Sequence, residues 1–221
     1  MSNPNPDPSA VLPERVREVA AWLAERAHAD APRWLDVSAR TAQEAADALG
    51  VALGQIAKSV IFRRLADDVA VLVVTSGDRR VDEAKVVAQV GAIGRADAAF
   101  VRARTGFVIG GVAPVAHRNE PVVLLDRDLW RFESIWAAAG HPKAVFRLVP
   151  DDLRRLCAGA AAHDVTESAA PRSPCIDVCK LDPVTRLCEG CLRTIDEIAG
   201  WSAMSDEARL EVLRQLPGRR A

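Results

Sequence analysis

Apolar positions along the chain fall into two alternating patterns, helical faces and short β-rich runs. Over residues 13–29, Val16, Val19, Leu23 and Ala27 recur at helical spacing, and Pro13 stands where a first turn tolerates it. Thr41-Ala-Gln-Glu44 has the spacing of a capping box, and the Ala-rich run behind it stops at Gly50. Two β-rich runs, 56–63 and 69–75, flank Ala66-Asp67-Asp68 and predict a hairpin. Further helices are predicted over 82–90, closed by Gly91, and over 96–104. A glycine-rich apolar stretch, Gly106 to Pro114, comes next. Strand patterns follow at 122–125 and, more weakly, at 134–138 and 144–149, and Pro150 opens a helix through Leu156. This mixture lacks the strict strand–helix alternation of a doubly wound sheet. The expected fold is mixed α/β, a twisted mixed sheet or pseudo-barrel with surrounding helices.

Residues 159–172 are small, polar and proline-punctuated, and read as a linker. The expected organisation is a leader at 1–12, a main domain at 13–158, that linker, and a small cysteine-rich module with short helices at 173–221. The leader is polar and Pro-rich, without the basic start and apolar stretch of a secretion signal. The uncharged apolar run 69–77 is far too short to span a bilayer as a helix. A cytoplasmic protein with reduced thiols is therefore expected, with no membrane partner.

Charge narrows the class of partner. The 221 residues carry 29 Lys+Arg against 30 Asp+Glu, a net charge of −1. Divided at residue 160, the chain has 21 basic and 20 acidic residues before and 8 and 10 after, so neither part is a basic arm. A protein gripping long nucleic acid through many phosphates is usually clearly basic. This balance does not exclude nucleic acid but argues for a local contact with a short stretch of it, and DNA is not an expected partner.

Two features carry candidate chemistry in the main domain. On the run Ile56-Ala-Lys58-Ser-Val60-Ile-Phe62, Lys58 shares a face with Ile56, Val60 and Phe62. Such a lysine either snorkels outward or meets an anionic or carbonyl group. In Gly110-Gly111-Val112-Ala113-Pro114, adjacent glycines let a ligand approach backbone N–H groups, which can polarise a carbonyl. Alone, the loop reads as a tight bend between two strands.

Taken in order, Thr41…Glu44, Leu49-Gly50, Gln55-Ile56-Ala57-Lys58-Ser59, Ser76-Gly77-Asp78-Arg79-Arg80-Val81-Asp82, Thr105-Gly106-Phe107…Gly110 to Pro114 and Val123-Leu-Leu-Asp126 resemble the YbaK-type family. These are stand-alone relatives of the editing domain inserted in bacterial prolyl-tRNA synthetases. The resemblance implies hydrolysis in trans of the ester joining a wrong amino acid to the 3′ end of a tRNA, without a metal or other cofactor. It implies catalytic roles for Lys58, Gly110 and Gly111, with Ser59, Ser76, Gly77, Asp78, Val112, Pro114 and His117 expected around the substrate. It further implies that the terminal ribose hydroxyl, rather than a protein nucleophile, assists the attacking water. The sequence has no G-x-S-x-G elbow, and Cys157 is expected on a surface helix. The chain has no tyrosine and no acid in its last strand pattern, unlike some family members, so the edited amino acid stays open. The expected partners are the tRNA acceptor end and a synthetase. Non-catalytic binding of such a ligand, or metal- or redox-responsive regulation, are the alternative classes.

The module is read from its thiols. Cys175-x3-Cys179-x8-Cys188-x2-Cys191 places four cysteines within 17 residues, a spacing that lets four sulfurs meet around one tetrahedral centre. Zn2+ and an iron–sulfur cluster both accept four thiolates. Reduced structural thiols and disulfides are the other readings, the latter disfavoured by compartment. The segment from Ser173 to Trp201 resembles a small bacterial Cys-rich family of unknown function, often described as predicted iron–sulfur proteins.

Overall fold

The computed structural model describes residues 12–167, 171 and 173–219. The expected leader lies outside the described residues apart from Leu12. The chain forms two compact units, Met1–Glu167 and Ser168–Ala221.

The first unit is built on one mixed eight-stranded sheet. In chain order its strands are β1 (Arg33–Trp34), β2 (Ile56–Arg64), β3 (Ala70–Ser76), β4 (Ile93–Arg95), β5 (Val122–Asp126), β6 (Ile135–His141), β7 (Ala144–Leu148) and β8 (Ala162–His163). They pair in the order β1-β7-β6-β2-β3-β5-β8, an open path rather than a closed ring, with β4 attached to β2. The hairpin is present: β2 and β3 pair antiparallel, and Asp68 turns the chain at φ 63°. β6 joins β2, and β5 joins β3, in parallel register.

Five helices surround this sheet: α1 (Glu14–Glu25), α2 (Ala42–Leu49), α3 (Glu83–Val90), α4 (Ala98–Thr105) and α5 (Pro150–Leu156). Their ends follow local chemistry. Thr41 and Glu44 close a reciprocal capping box on α2, and Gly50 ends that helix in the left-handed region at φ 65°. Asp82 caps α3 by accepting from the N–H groups of Ala84 and Lys85. Helix α1 buries Val16, Val19 and Leu23 and packs on β6. These join Leu72, Val74, Leu125, Phe107 and Phe146 in the largest apolar cluster. Two smaller clusters form as well, one with Ile56, Trp136 and Ala46, the other with Phe62, Val71, Val73 and Val165.

Two expectations need correction. Residues 159–167, read as the front of a linker, belong to the first unit: Ala162 and His163 pair with Leu125 and Asp126. Val165 is fully buried, its carbonyl accepts from the Asp82 N–H at 3.0 Å, and the Glu167 N–H donates to Arg80 O at 2.9 Å. Small polar composition hid one apolar anchor and a set of backbone hydrogen bonds. Cys157, expected on a surface helix, is buried at the C-cap of α5 beside Pro114 O, and burial pushes its thiol up to about 12.

The second unit contains α6 (Ile195–Gly200) and α7 (Asp206–Gln215). Thr194 and Glu197 form a capping box on α6, and Ser205 caps α7. Arg219 pairs with Glu197 through both carboxylate oxygens, at 2.7 and 2.8 Å, tying the C-terminal turn back to α6.

Candidate functional site

The site lies where the sheet is incomplete. β3 pairs with β2 along nearly its whole length. On the other edge, β6 pairs only with Ile56 and Ala57, and β4 only with Phe62 to Arg64. Among the described residues, Lys58 to Ile61 therefore have no strand neighbour on that edge. A cavity of about 330 Å³ opens beside this stretch, and Lys58, Ser59, Ile109, Gly110, Val112 and His141 are among its lining residues. Small side chains (Ala39, Ala42, Ala45, Ala137, Ala138, Ala144) make up much of the remaining wall. The lysine and the glycine loop thus border one space.

Lys58 is half-buried and does not snorkel to bulk water. Its ammonium donates to Gly77 O at 3.4 Å and to Arg79 O. Three donors are available on an ammonium, so one remains beyond these two carbonyls. Burial lowers its pKa, while Asp78 and Asp126 act in the opposite direction and Arg80 adds to the lowering. The carbonyl-bearing loop is itself braced. Ser76 Oγ lies 2.5 Å from Gly54 O and 2.8 Å from Asp78 Oδ1, its single hydrogen serving one of them, and Arg131 donates to both Ser76 Oγ and Asp78. At Gly77 a Cβ would stand 2.3 Å from Leu53 O, so only glycine fits. Ser76, Gly77 and Asp78, expected at the substrate, instead hold the loop that holds Lys58; none lines the cavity.

The glycine loop divides its labour. Gly110, at φ 87°, lines the cavity, and among the described residues no hydrogen bond engages its N–H. Gly111, expected to share that role, donates its N–H to Val108 O at 3.0 Å and does not line the cavity. Its contribution is close approach, with a Cβ there only 2.8 Å from His141 Cα. Val112 lines the cavity as expected. Pro114 and His117 do not; both face a second cavity of about 660 Å³. Neither buried His117 ring nitrogen has a well-formed hydrogen bond among the described residues, the ring stands edge-on to Phe107 at 5.5 Å, and burial, opposed by the Pro114 backbone, pushes its pKa down to about 4. His117 is thus a neutral packing residue.

His141 is the site residue that the sequence reading passed over. Its Nδ1 accepts the Lys143 N–H at 3.0 Å, which leaves Nε2 as the N–H of the neutral ring. Trp34 stacks on it at 4.9 Å and 25°. Burial lowers its pKa, and Lys143 adds to that. The available signal was local: Gly140-His141-Pro142 sits at a strand end, and Gly140, at φ 92°, has no room for a Cβ, which would stand 2.9 Å from Arg15 O.

Residues 36–156 match the model of the aminoacyl-tRNA editing domain. The chain belongs to the aminoacyl-tRNA editing family. The editing domain is 36% identical over 119 residues to the uncharacterized protein YwhH of Bacillus subtilis (strain 168), covering 53% of this chain and 75% of that protein. It also superposes on a solved structure described as a proposed trans-editing enzyme for prolyl tRNA synthetase. The TM-score is 0.66 at 39% identity, over 71% of this chain and 99% of the other. The mixed α/β architecture of the editing domain is thereby shared with its relatives. Residues 173–220 match a separate family of unknown function. No helix of the described residues is long and apolar enough to cross a membrane.

In the second unit, the described residues do not gather three or more His, Cys, Asp or Glu side chains into a ready-made metal cluster. The chemistry of the cysteine loops nonetheless fits a thiolate-bound metal. Gly190 packs on Val178, where a Cβ would meet Val178 Cβ at 2.9 Å, so the two cysteine loops lie side by side. The Cys179 thiol is raised, chiefly by Cys175 and more weakly by Cys188. Backbone N–H groups, foremost that of Cys191, hold the Cys188 thiol below its ordinary value. The Asp177 N–H and Arg193 Nε each donate to a cysteine sulfur, Cys175 and Cys191 respectively, at 3.4 Å.

Proposed function

We propose that the first unit is a deacylase acting in trans on mischarged tRNA, hydrolysing the aminoacyl ester at the 3′ end. The observation that carries this reading is the shared cavity, lined by Lys58 and by Gly110, whose N–H is uncommitted among the described residues. The small-residue wall suits a small amino-acid side chain. Lys58, held by two carbonyls, orients the substrate end through its remaining donor, and Gly110 polarises the ester carbonyl. His141, with Nε2–H as donor, adds a third hydrogen bond rather than a base. Among the described residues, no carboxylate or thiol lines the cavity. Water attacks the carbonyl carbon, the ester C–O bond breaks, and the tRNA hydroxyl and free amino acid leave. The proton from water passes through the substrate's own hydroxyl or solvent. An aminoacyl ester is already activated, so positioning and carbonyl polarisation suffice.

The test is incubation of the purified protein with tRNAs charged with alanine, serine or cysteine. Release of at least one amino acid above the spontaneous rate supports the reading. Tight binding of the charged tRNA with no release would instead make the domain a binding module.

For the second unit we propose that Cys175, Cys179, Cys188 and Cys191 hold one metal centre, zinc or iron–sulfur, whose binding draws the four thiolates together and stabilises the fold. Support comes from the spacing and from the N–H groups directed at the sulfurs. Elemental analysis and the visible spectrum decide between the two: a coloured, iron-containing protein or a colourless one that releases zinc on acidification.

A further inference from the structure

Trp34 is 43% exposed on β1, the strand at one edge of the sheet. It pairs with Ala144 on β7, and Ala144 pairs in turn with His141 on β6, so the three form a row across adjacent strands. Side chains opposite one another in such a row share a face. Ala144 contributes only a methyl group, which lets the two flanking rings close over it, and they stack at 4.9 Å. Ala144 and His141 both line the cavity, so the row runs from the cavity out to an indole at the sheet edge. Among the described residues His141 is the one ring stacked on Trp34. Two cations accompany this row. Arg40 is exposed and lines the cavity. Lys143 lies in the turn after His141, its ammonium donating to the carbonyl of Asp36 at 3.1 Å. Neither forms an ion pair among the described residues. The acids nearest in sequence are Asp36 and Glu44, and the Glu44 carboxylate is engaged by the N–H groups of Arg40 and Thr41.

We infer that Trp34 is a stacking shelf for the 3′-terminal nucleobase of the acylated RNA, with Arg40 and Lys143 beside it for the adjoining phosphates. This rests on the deacylase reading above. The ester is carried by the last ribose, so a substrate whose ester lies in the cavity leaves its last base at the cavity mouth, within one nucleotide's reach. An unpaired base has two bare π-faces, and a flat aromatic side chain covers one of them whichever base it is. Cations beside it take the phosphates of the same strand. One ring and two cations make a short contact, which is compatible with a chain of net charge −1. Because the indole rests on His141, a base stacked on its outer face also holds the imidazole in place. A tryptophan that merely braced His141 would serve the reaction without touching the nucleobase.

The experiment uses the full chain as wild type, Trp34→Ala and Trp34→Phe, with folding verified by circular dichroism. Single-turnover release from charged tRNA, followed over a range of protein concentrations, gives a half-saturating concentration and a limiting rate. A second tRNA, with 2-aminopurine as its terminal base, reports stacking by loss of fluorescence. In Trp34→Ala the half-saturating concentration should rise about 5- to 150-fold, the loss of one base–aromatic stack, and more than the limiting rate falls. Trp34→Phe should stay close to wild type. The 2-aminopurine signal should be quenched by wild type and Trp34→Phe and left bright by saturating Trp34→Ala. An unchanged half-saturating concentration in folded Trp34→Ala, including one accompanied by a lower limiting rate, overturns the inference and leaves the deacylase reading standing. Full quenching by Trp34→Ala does the same. A wild type that releases no amino acid from any charged tRNA overturns both.

Discussion

Gly111 packs its backbone against that of His141 so closely that a Cβ on Gly111 would lie 2.8 Å from His141 Cα and 2.9 Å from its carbonyl carbon. The atoms it would meet are main-chain atoms of a strand paired to β7, so they cannot swing aside as a flexible side chain would. This contact sets the distance between the loop bearing Gly110 and the strand bearing His141.

Gly111→Ala should therefore push the loop off the strand, costing roughly 1–3 kcal/mol of stability, the range for overpacking a tight site. Deacylation should fall more than stability does, because Gly110 and His141 move apart. Denaturant midpoints and initial rates, compared on the folded variant, test this. Wild-type rates in a folded Gly111→Ala protein would show that the spacing is irrelevant.

His117 gives the fold a pH dependence with a definite sign. Its folded pKa is pushed by burial from 6.5 down to about 4, so between those values the unfolded chain binds a proton that the folded chain does not. Stability from this group is complete above pH 6.5, falls as pH drops towards 4, and changes no further below that. The full loss corresponds to about 3 kcal/mol. His117→Phe, which keeps an aromatic ring against Phe107, should lose less stability than wild type between pH 7 and pH 4.5 in urea unfolding. Parallel losses in the two proteins would place the ring in a hydrated environment.

Val165 anchors the segment that closes the first unit. Val165→Ala removes two buried methyl groups next to Phe62, Val71 and Leu124 and should cost roughly 1–3 kcal/mol. Urea unfolding at pH 7 checks it; an unchanged midpoint would mean that this segment is not docked in solution.

Much of the fold was legible because local chemistry and tertiary packing agree. The capping box at Thr41 and Glu44, the Asp68 turn and the Asp82 cap each form as their residues dictate. The segment 159–167 was not legible, since one valine among small polar residues carries too little periodicity to announce a strand. At the site, neither the lysine on an apolar strand face nor the adjacent glycines are decisive alone; the ordered series of motifs around Lys58 and Gly110 singled them out. The partition of roles was hidden. Whether Ser76, Asp78 and Gly111 touch substrate or brace those that do depends on hydrogen bonds between distant segments, such as Arg131 to Asp78. His141 was hidden for the same reason: its tautomer and its place at the cavity come from Lys143 and from the register of β6.

The most direct test compares single-turnover deacylation of alanyl-, seryl- and cysteinyl-tRNA by the wild type and by Lys58→Ala, with folding of both verified by circular dichroism. The expected result is release of at least one amino acid by the wild type and a drop of about 100-fold or more in the folded variant, the scale at which a single polarising or orienting group acts. Equal rates in the two proteins would contradict the central role given to the Lys58 ammonium.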